Sequence, residues 1–169
     1  MLGSLEQKKN IAQTWFERLR DDICRRFEAC EDEVSGANTM EASAKGSFER
    51  STWKRPNNED GTEGGGGVTS VMRGRVFEKV GVNVSTVYGS FSEKFQSQIQ
   101  GAEEDPRFWA SGISIVSHPR SPHVPIAHMN TRMIVTTKNW FGGGGDLTPV
   151  FPVDQDTRDF HGAFKTACE

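Results

Sequence analysis

No apolar run in this 169-residue chain approaches the roughly 20 residues that a membrane-spanning helix needs. Cysteine is scarce: Cys24, Cys30 and Cys168 make an odd set with no CxxC spacing. The first two fall six residues apart on an expected helix, nearly on opposed faces, so neither a disulfide framework nor a cysteine zinc site is expected. Charge of one sign is also lacking. Twenty basic against 23 acidic residues leave a net charge of −3 and a pI of about 5.8, which gives no nucleic-acid footprint and no polybasic membrane patch. The first residues contain no secretory apolar stretch and no Arg-rich transit segment, so the cytosol is the expected compartment. No GxGxxG opens a helix and no Lys-Ser or Lys-Thr completes a P-loop, which removes the common nucleotide motifs.

What is present is a polar globular profile, 34% hydrophobic with a mean hydropathy of −0.59, sized for one domain over residues 1–169. Ile11, Trp15, Phe16, Leu19, Ile23 and Phe27 recur at helical steps and predict a helix over residues 5–30 packed on that stripe. Residues 31–47 read as a loop, 48–53 as a strand, and 56–67 as a loop ending in four glycines. Three short strands follow, 68–72, 76–80 and 82–87, split at Gly74 and Gly81. A helix is expected within 90–100, then strands over 108–117, 126–137 and 147–153. Asp154 is the expected N-cap of a last helix carrying Phe160, Phe164 and Ala167. This order predicts an α+β fold with helices packed on an antiparallel or mixed sheet.

The candidate chemistry concentrates in the last third, which holds all four histidines: His118, His123, His128 and His161. Pro119, Pro122 and Pro125 forbid a helix between the first three, because proline lacks an N–H and restricts its predecessor. An extended or looping segment therefore delivers His128 into a strand. Alternation then puts His128, Asn130 and Arg132 on one face and Met129, Thr131 and Met133 on the other. Ser114, Val116 and His118 share a face of the preceding strand by the same count. A proton-moving imidazole beside an amide and a guanidinium suits an anionic substrate. An ordinary solvated sheet face would show the same pattern. Gly142–Gly145, between Trp140-Phe141 and Asp146, marks either a linker or a close backbone approach to something flat. Asp146 could accept hydrogen bonds from a ligand or cap a turn. His118, His128 and His161 with an acid could form a metal site, although no HxH or HxxxH pair supports one.

Taken together, SIVSHPRSPHVPIAHMNTR (114–132) and NWFGGGGDLTPVF (139–151) resemble the two signature regions of the oxygen-dependent coproporphyrinogen oxidases. The segment GGGGVTSVMRGRVFEKVGVNVSTVYG (64–89) is similar to that family's first glycine-rich strand region. The resemblance covers essentially the whole chain, departing at Asn83 and Tyr88, where relatives often carry histidine. It implies a large flat antiparallel sheet flanked by helices on both faces and a homodimer. The implied reaction is decarboxylation of two propionates of coproporphyrinogen III to vinyl groups, giving protoporphyrinogen IX, with O₂ as co-substrate and no obligatory cofactor. It implies His128 as the proton-transferring catalytic residue and Asp146 as the acid that meets pyrrole N–H groups. Ser114, Asn130, Thr131 and Arg132 would bind substrate, and His118 and His161 match positions sometimes given to a divalent metal. Family members continue with a further histidine, arginine and dimer-forming region, so the sheet is expected to be incomplete at its C-terminal end and residues 1–169 alone inactive. The alternative is a shortened paralogue that binds tetrapyrroles without turnover.

Overall fold

A computed structural model describes residues 3–34, 44–58 and 61–169 of the chain. The first helix, α1 (Leu5–Glu33), starts on a reciprocal cap: Ser4 Oγ accepts from the Gln7 amide while Gln7 Oε1 accepts from the Ser4 amide. Ala12, Phe16, Arg20 and Cys24 are its buried stripe, at steps of four. Leu19, Ile23 and Phe27 flank that stripe as expected, but Ile11 and Trp15 do not, being 69% and 58% exposed. The buried line contains a small residue and an arginine, so apolar character alone rotates the inferred face by one position.

Six strands follow: β1 (Glu49–Lys54), β2 (Gly65–Met72), β3 (Phe77–Ser90), β4 (Arg107–Pro119), β5 (Ile126–Val135) and β6 (Asn139–Thr148). They pair antiparallel in sequence order as one open sheet, with β1 and β6 at the edges. The fold is α+β, as expected. A short α2 (Glu93–Gln96) lies between β3 and β4, and α3 (Asp154–Cys168) follows β6.

Several boundaries differ from the sequence reading. The expected strands 76–80 and 82–87 are one 14-residue β3 that runs through Gly81 without a break. Gly65, Gly66 and Gly67 begin β2 rather than ending a loop. The last strand is 139–148, not 147–153: the glycine tract is itself paired to β5, and Pro149 and Pro152 stop the strand beyond it. Asp154 is the first residue of α3 and makes no side-chain cap; Val153 occupies the cap position. The loop expected over 31–47 begins after Glu33, and its residues 35–43 lie outside those described.

Alternation gives the sheet two unlike faces. The core face of β2–β4 carries Met72, Val80, Val82, Val84, Ile113 and Ile115, all buried, and α1 packs there on β3 and β4. Phe27 of α1 meets Phe77 edge-on, with ring centroids 5.1 Å apart. On the opposite face no residue of β2–β5 between Gly65 and Val135 is buried, from Thr69 and Asn83 to Ser114 and Asn130. Phe164 of α3 lies over Gly145, on the core side of β6, so α1 and α3 both leave that second face open.

The end of α1 is tied to the sheet through Glu31, which is fully buried. Its carboxylate accepts backbone N–H bonds from Gly46, Arg75, Val76 and Phe77, and its carbonyl accepts from the Arg75 guanidinium. Burial works to raise the Glu31 pKa. The N–H bonds from Phe77, Arg75, Val76 and Gly46 outweigh it and hold the carboxyl below its ordinary value.

Candidate active site

The open face collects the polar residues of the last three strands in register rows. His128 on β5 pairs with Asp146 on β6, Asn130 with Gly144, and Arg132 with Gly142. On the other side Val116, Ser114 and Gly112 of β4 oppose the same three β5 residues. The side chains form a continuous chain of contacts. Asp146 Oδ2 lies 2.9 Å from His128 Nδ1, Asn130 Nδ2 lies 3.4 Å from His128 Nε2, and Arg132 Nη2 donates to Asn130 Oδ1 at 2.6 Å.

That chain selects one protonation pattern. Arg132 donates to the Asn130 oxygen, which turns the Asn130 amide N–H₂ toward His128. Nε2 must then accept, so the neutral imidazole carries its proton on Nδ1 and donates it to Asp146. His128 thus presents a basic nitrogen on the open face, with its side chain 36% exposed. Asp146 orients the ring rather than capping a turn.

Glycine shapes the floor of this face. A Cβ at Gly144 would meet nothing within 4 Å, and one at Gly142 only the Trp140 ring, at 3.9 Å. Gly143 and Gly145, on the core side, are glycine for packing: a Cβ there would come to 2.3 Å from the Asn130 carbonyl oxygen or 2.5 Å from Phe164. At Gly112 a Cβ would stand 2.7 Å from the Arg132 Cβ, so this glycine leaves Arg132 its place. The result is a broad face with a polar row at one end and bare backbone beside it.

His128, Asn130, Arg132, Asp146 and Ser114 are therefore brought together. Thr131 is not: it pairs with Ile113 on the core face, so only its backbone runs beneath the site. His118 pairs with Lys79 beyond Val116, and His161 of α3 lines a cleft with Asp146, Leu147, Pro149, Val153 and Phe160. Among the described residues no three His, Cys, Asp or Glu side chains converge, so His118, His128 and His161 do not fit a three-ligand metal site. His123 stacks on Phe151 with ring centroids 5.1 Å apart, joining the loop before β5 to the one after β6. Asn83 of β3, directly opposite Ser114, also faces the site. Alternation along the unbroken β3 places it there, and a strand end at Gly81 hides that register.

Residues 11–169 match the family profile described as Coproporphyrinogen III oxidase. The chain is 52% identical over 164 residues to the oxygen-dependent coproporphyrinogen-III oxidase of Rickettsia bellii (strain RML369-C), covering 97% of this chain and 56% of that protein. It is 50% identical over 163 residues to the enzyme of that name from Rickettsia felis and 49% identical over 163 residues to that from Rickettsia prowazekii, in each case covering 96% of this chain and 55% of the relative. The chain thus spans a little over half the length of the curated relatives it matches.

Proposed function

This chain belongs to the coproporphyrinogen III oxidase family, and from that premise we propose that its protein converts two propionates of coproporphyrinogen III to vinyl groups, with O₂ as acceptor. The observation that supports this most directly is the linked set Asp146–His128–Asn130–Arg132 at the edge of a glycine-floored open face. A flat, carboxylate-bearing macrocycle needs bare surface for its ring, a cation for an arm and a base beside both.

Each propionate carboxylate that becomes a vinyl group gives up CO₂, one proton and two electrons. O₂ accepts those electrons together with that proton and a second one drawn from solvent. His128 Nε2 takes the proton in this reading, either from a pyrrole N–H, raising the ring's electron density toward O₂, or from the carbon beside the ring as CO₂ leaves. Asp146 holds the imidazole in the accepting tautomer and stabilises the imidazolium that results. Arg132 grips the propionate carboxylate, and Asn130 keeps Arg132 and His128 at fixed separation. Ser114, next to Asn130, donates a hydroxyl to the same arm. A homodimer in the cytosol completes the proposal, on the strength of the sequence resemblance.

The test is oxygen uptake and porphyrin formation from coproporphyrinogen III. His128→Ala should lower turnover by roughly 10²- to 10⁴-fold, the usual contribution of a positioned acid–base group. Turnover within a few-fold of the parent would remove His128 from the chemistry. Tight binding of the substrate without any oxygen uptake by the parent would instead mark a tetrapyrrole-binding protein.

A further inference from the structure

The alternation of β3 slips at its start. Phe77 and Val80 are both buried on the core face although they lie three residues apart, which a regular strand does not allow. The register gives the reason: Phe77 opposes Pro119 while Lys79 opposes His118, so β3 carries one residue more than β4 at this point. Such a β-bulge re-aims side chains and is frequent beside active sites. Without it Lys79 would share the core face with Phe77. With it Lys79 stands exposed on the open face, opposite His118.

The protein itself makes no use of the ammonium so presented. Lys79 forms no hydrogen bond or ion pair with a described residue, and Glu78, the other residue of the bulge, does not pair with it. Among the described strand residues of the open face, Lys79 and Arg132 are the only lysine or arginine. They mark opposite corners of one patch. His118 lies two residues along β4 from Val116, the partner of His128, and six from Gly112, the partner of Arg132. Six residues are about 20 Å at ordinary strand rise, too far for one carboxylate to touch both cations. His128 lies between them. The surface they bracket is bare or apolar: a Cβ at Gly81 would meet only Asn83 Nδ2, at 3.7 Å, and Val116 is exposed. A macrocycle lying there, with carboxylate arms on its rim, can meet both long side chains as they lean inward.

We propose that Lys79, aimed by the bulge, is a substrate-binding residue whose ammonium holds a second propionate carboxylate of the tetrapyrrole, diagonally across the face from Arg132. This rests on the functional reading above and adds the orientation of the ring: one arm at Arg132 beside the base, another at the start of β3, and the ring over Val116 between them.

The test uses coproporphyrin III, the non-reacting oxidised form, and its uncharged tetramethyl ester, titrated into the full protein while tryptophan fluorescence is followed. Lys79→Met should weaken binding of the free acid by roughly 3- to 10-fold, between the scales of an exposed and a shielded charged contact. Lys79→Glu should weaken it further by like-charge repulsion, Lys79→Arg should stay near the parent, and none should change binding of the ester. In turnover, KM for coproporphyrinogen III should rise in Lys79→Met while kcat stays within a few-fold, since the base is untouched. Its unfolding temperature should match the parent's, because the ammonium contacts nothing in the protein. If the acid binds the parent, Lys79→Met and Lys79→Glu equally while the parent consumes oxygen, this inference alone is overturned. Equal losses for acid and ester would show that the lysine acts through the fold and also overturn it. A parent that neither binds porphyrin nor consumes oxygen would overturn the functional reading and this inference together.

Discussion

Nδ1 of His128 lies 2.9 Å from Oδ2 of Asp146, and the β5–β6 register sets the two residues directly opposite each other. An acceptor at that position is what keeps the imidazole proton on Nδ1 and the lone pair on Nε2.

Asp146→Asn tests this tautomer argument with little change of shape. The amide can donate to Nδ1, which moves the imidazole proton to Nε2 and blocks the base. Turnover should fall by roughly 10²- to 10⁴-fold while porphyrin binding stays within a few-fold of the parent. Single-turnover rates with separate binding titrations distinguish the two effects. A rate near that of the parent would mean that His128 accepts its proton without help from Asp146.

Arg132 and Asn130 are expected to act as one unit, since Arg132 Nη2 donates to Asn130 Oδ1 at 2.6 Å. Arg132→Ala should cost about 2–4 kcal/mol in kcat/KM, and Arg132→Lys should recover little, because an ammonium cannot reproduce the planar fork. The Arg132→Ala, Asn130→Ala pair should lose less than the sum of the single losses, with a coupling of about 0.5–3 kcal/mol. Strict additivity in the double-mutant cycle would separate the two roles.

The contrast between β5 and β6 shows which parts of this arrangement the sequence carries. Three prolines exclude a helix over 119–125, which folds as the turn joining β4 to β5, so the parity of His128, Asn130 and Arg132 can be counted along the strand that follows, and the count agrees with the structure. Thr131 fails as a side-chain candidate by that same count. On β6 four glycines hide the strand, because glycine has no intrinsic preference for it and only pairing with β5 holds the tract extended. Without that strand no register links Asp146 to His128, 18 residues away, and the acid reads as a turn cap. Apolar periodicity misplaces the inward face of α1 for a similar reason: Arg20 and Cys24 are buried while Ile11 and Trp15 are not. These are outcomes of tertiary packing that hydrophobicity along one element does not encode.

Glu31 offers a stability test remote from the site. Glu31→Gln replaces one carboxylate oxygen with an amide donor facing backbone N–H groups. Stability in urea should fall by about 2–4 kcal/mol, the scale of losing charge-assisted bonds at a buried group. The pH dependence follows from the lowered pKa. A carboxyl whose folded pKa lies below its unfolded value contributes stability that is complete above the ordinary glutamate range and is lost as pH falls through the folded value. The parent should therefore lose more stability than Glu31→Gln as pH drops below about 4.5, the ordinary value. Parallel acid profiles for the two proteins would exclude Glu31 as the source.

Adjacent glycines of β6 should respond in opposite ways to the same substitution. Gly143→Ala drives a methyl to 2.3 Å from the Asn130 carbonyl oxygen, so it should destabilise the protein by about 1–3 kcal/mol, as overpacking does. Gly144→Ala places its methyl in open space on the site face and removes the conformational freedom of a glycine in a strand, which should stabilise by roughly 0.5–1 kcal/mol. That methyl nevertheless rises from the floor beside Asn130, where a flat ring would rest. KM for coproporphyrinogen III should increase at Gly144→Ala and increase further at Gly144→Leu, while unfolding temperatures stay at or above that of the parent. If Gly144→Leu kept both KM and kcat, the bare floor of this face would not be where the macrocycle lies.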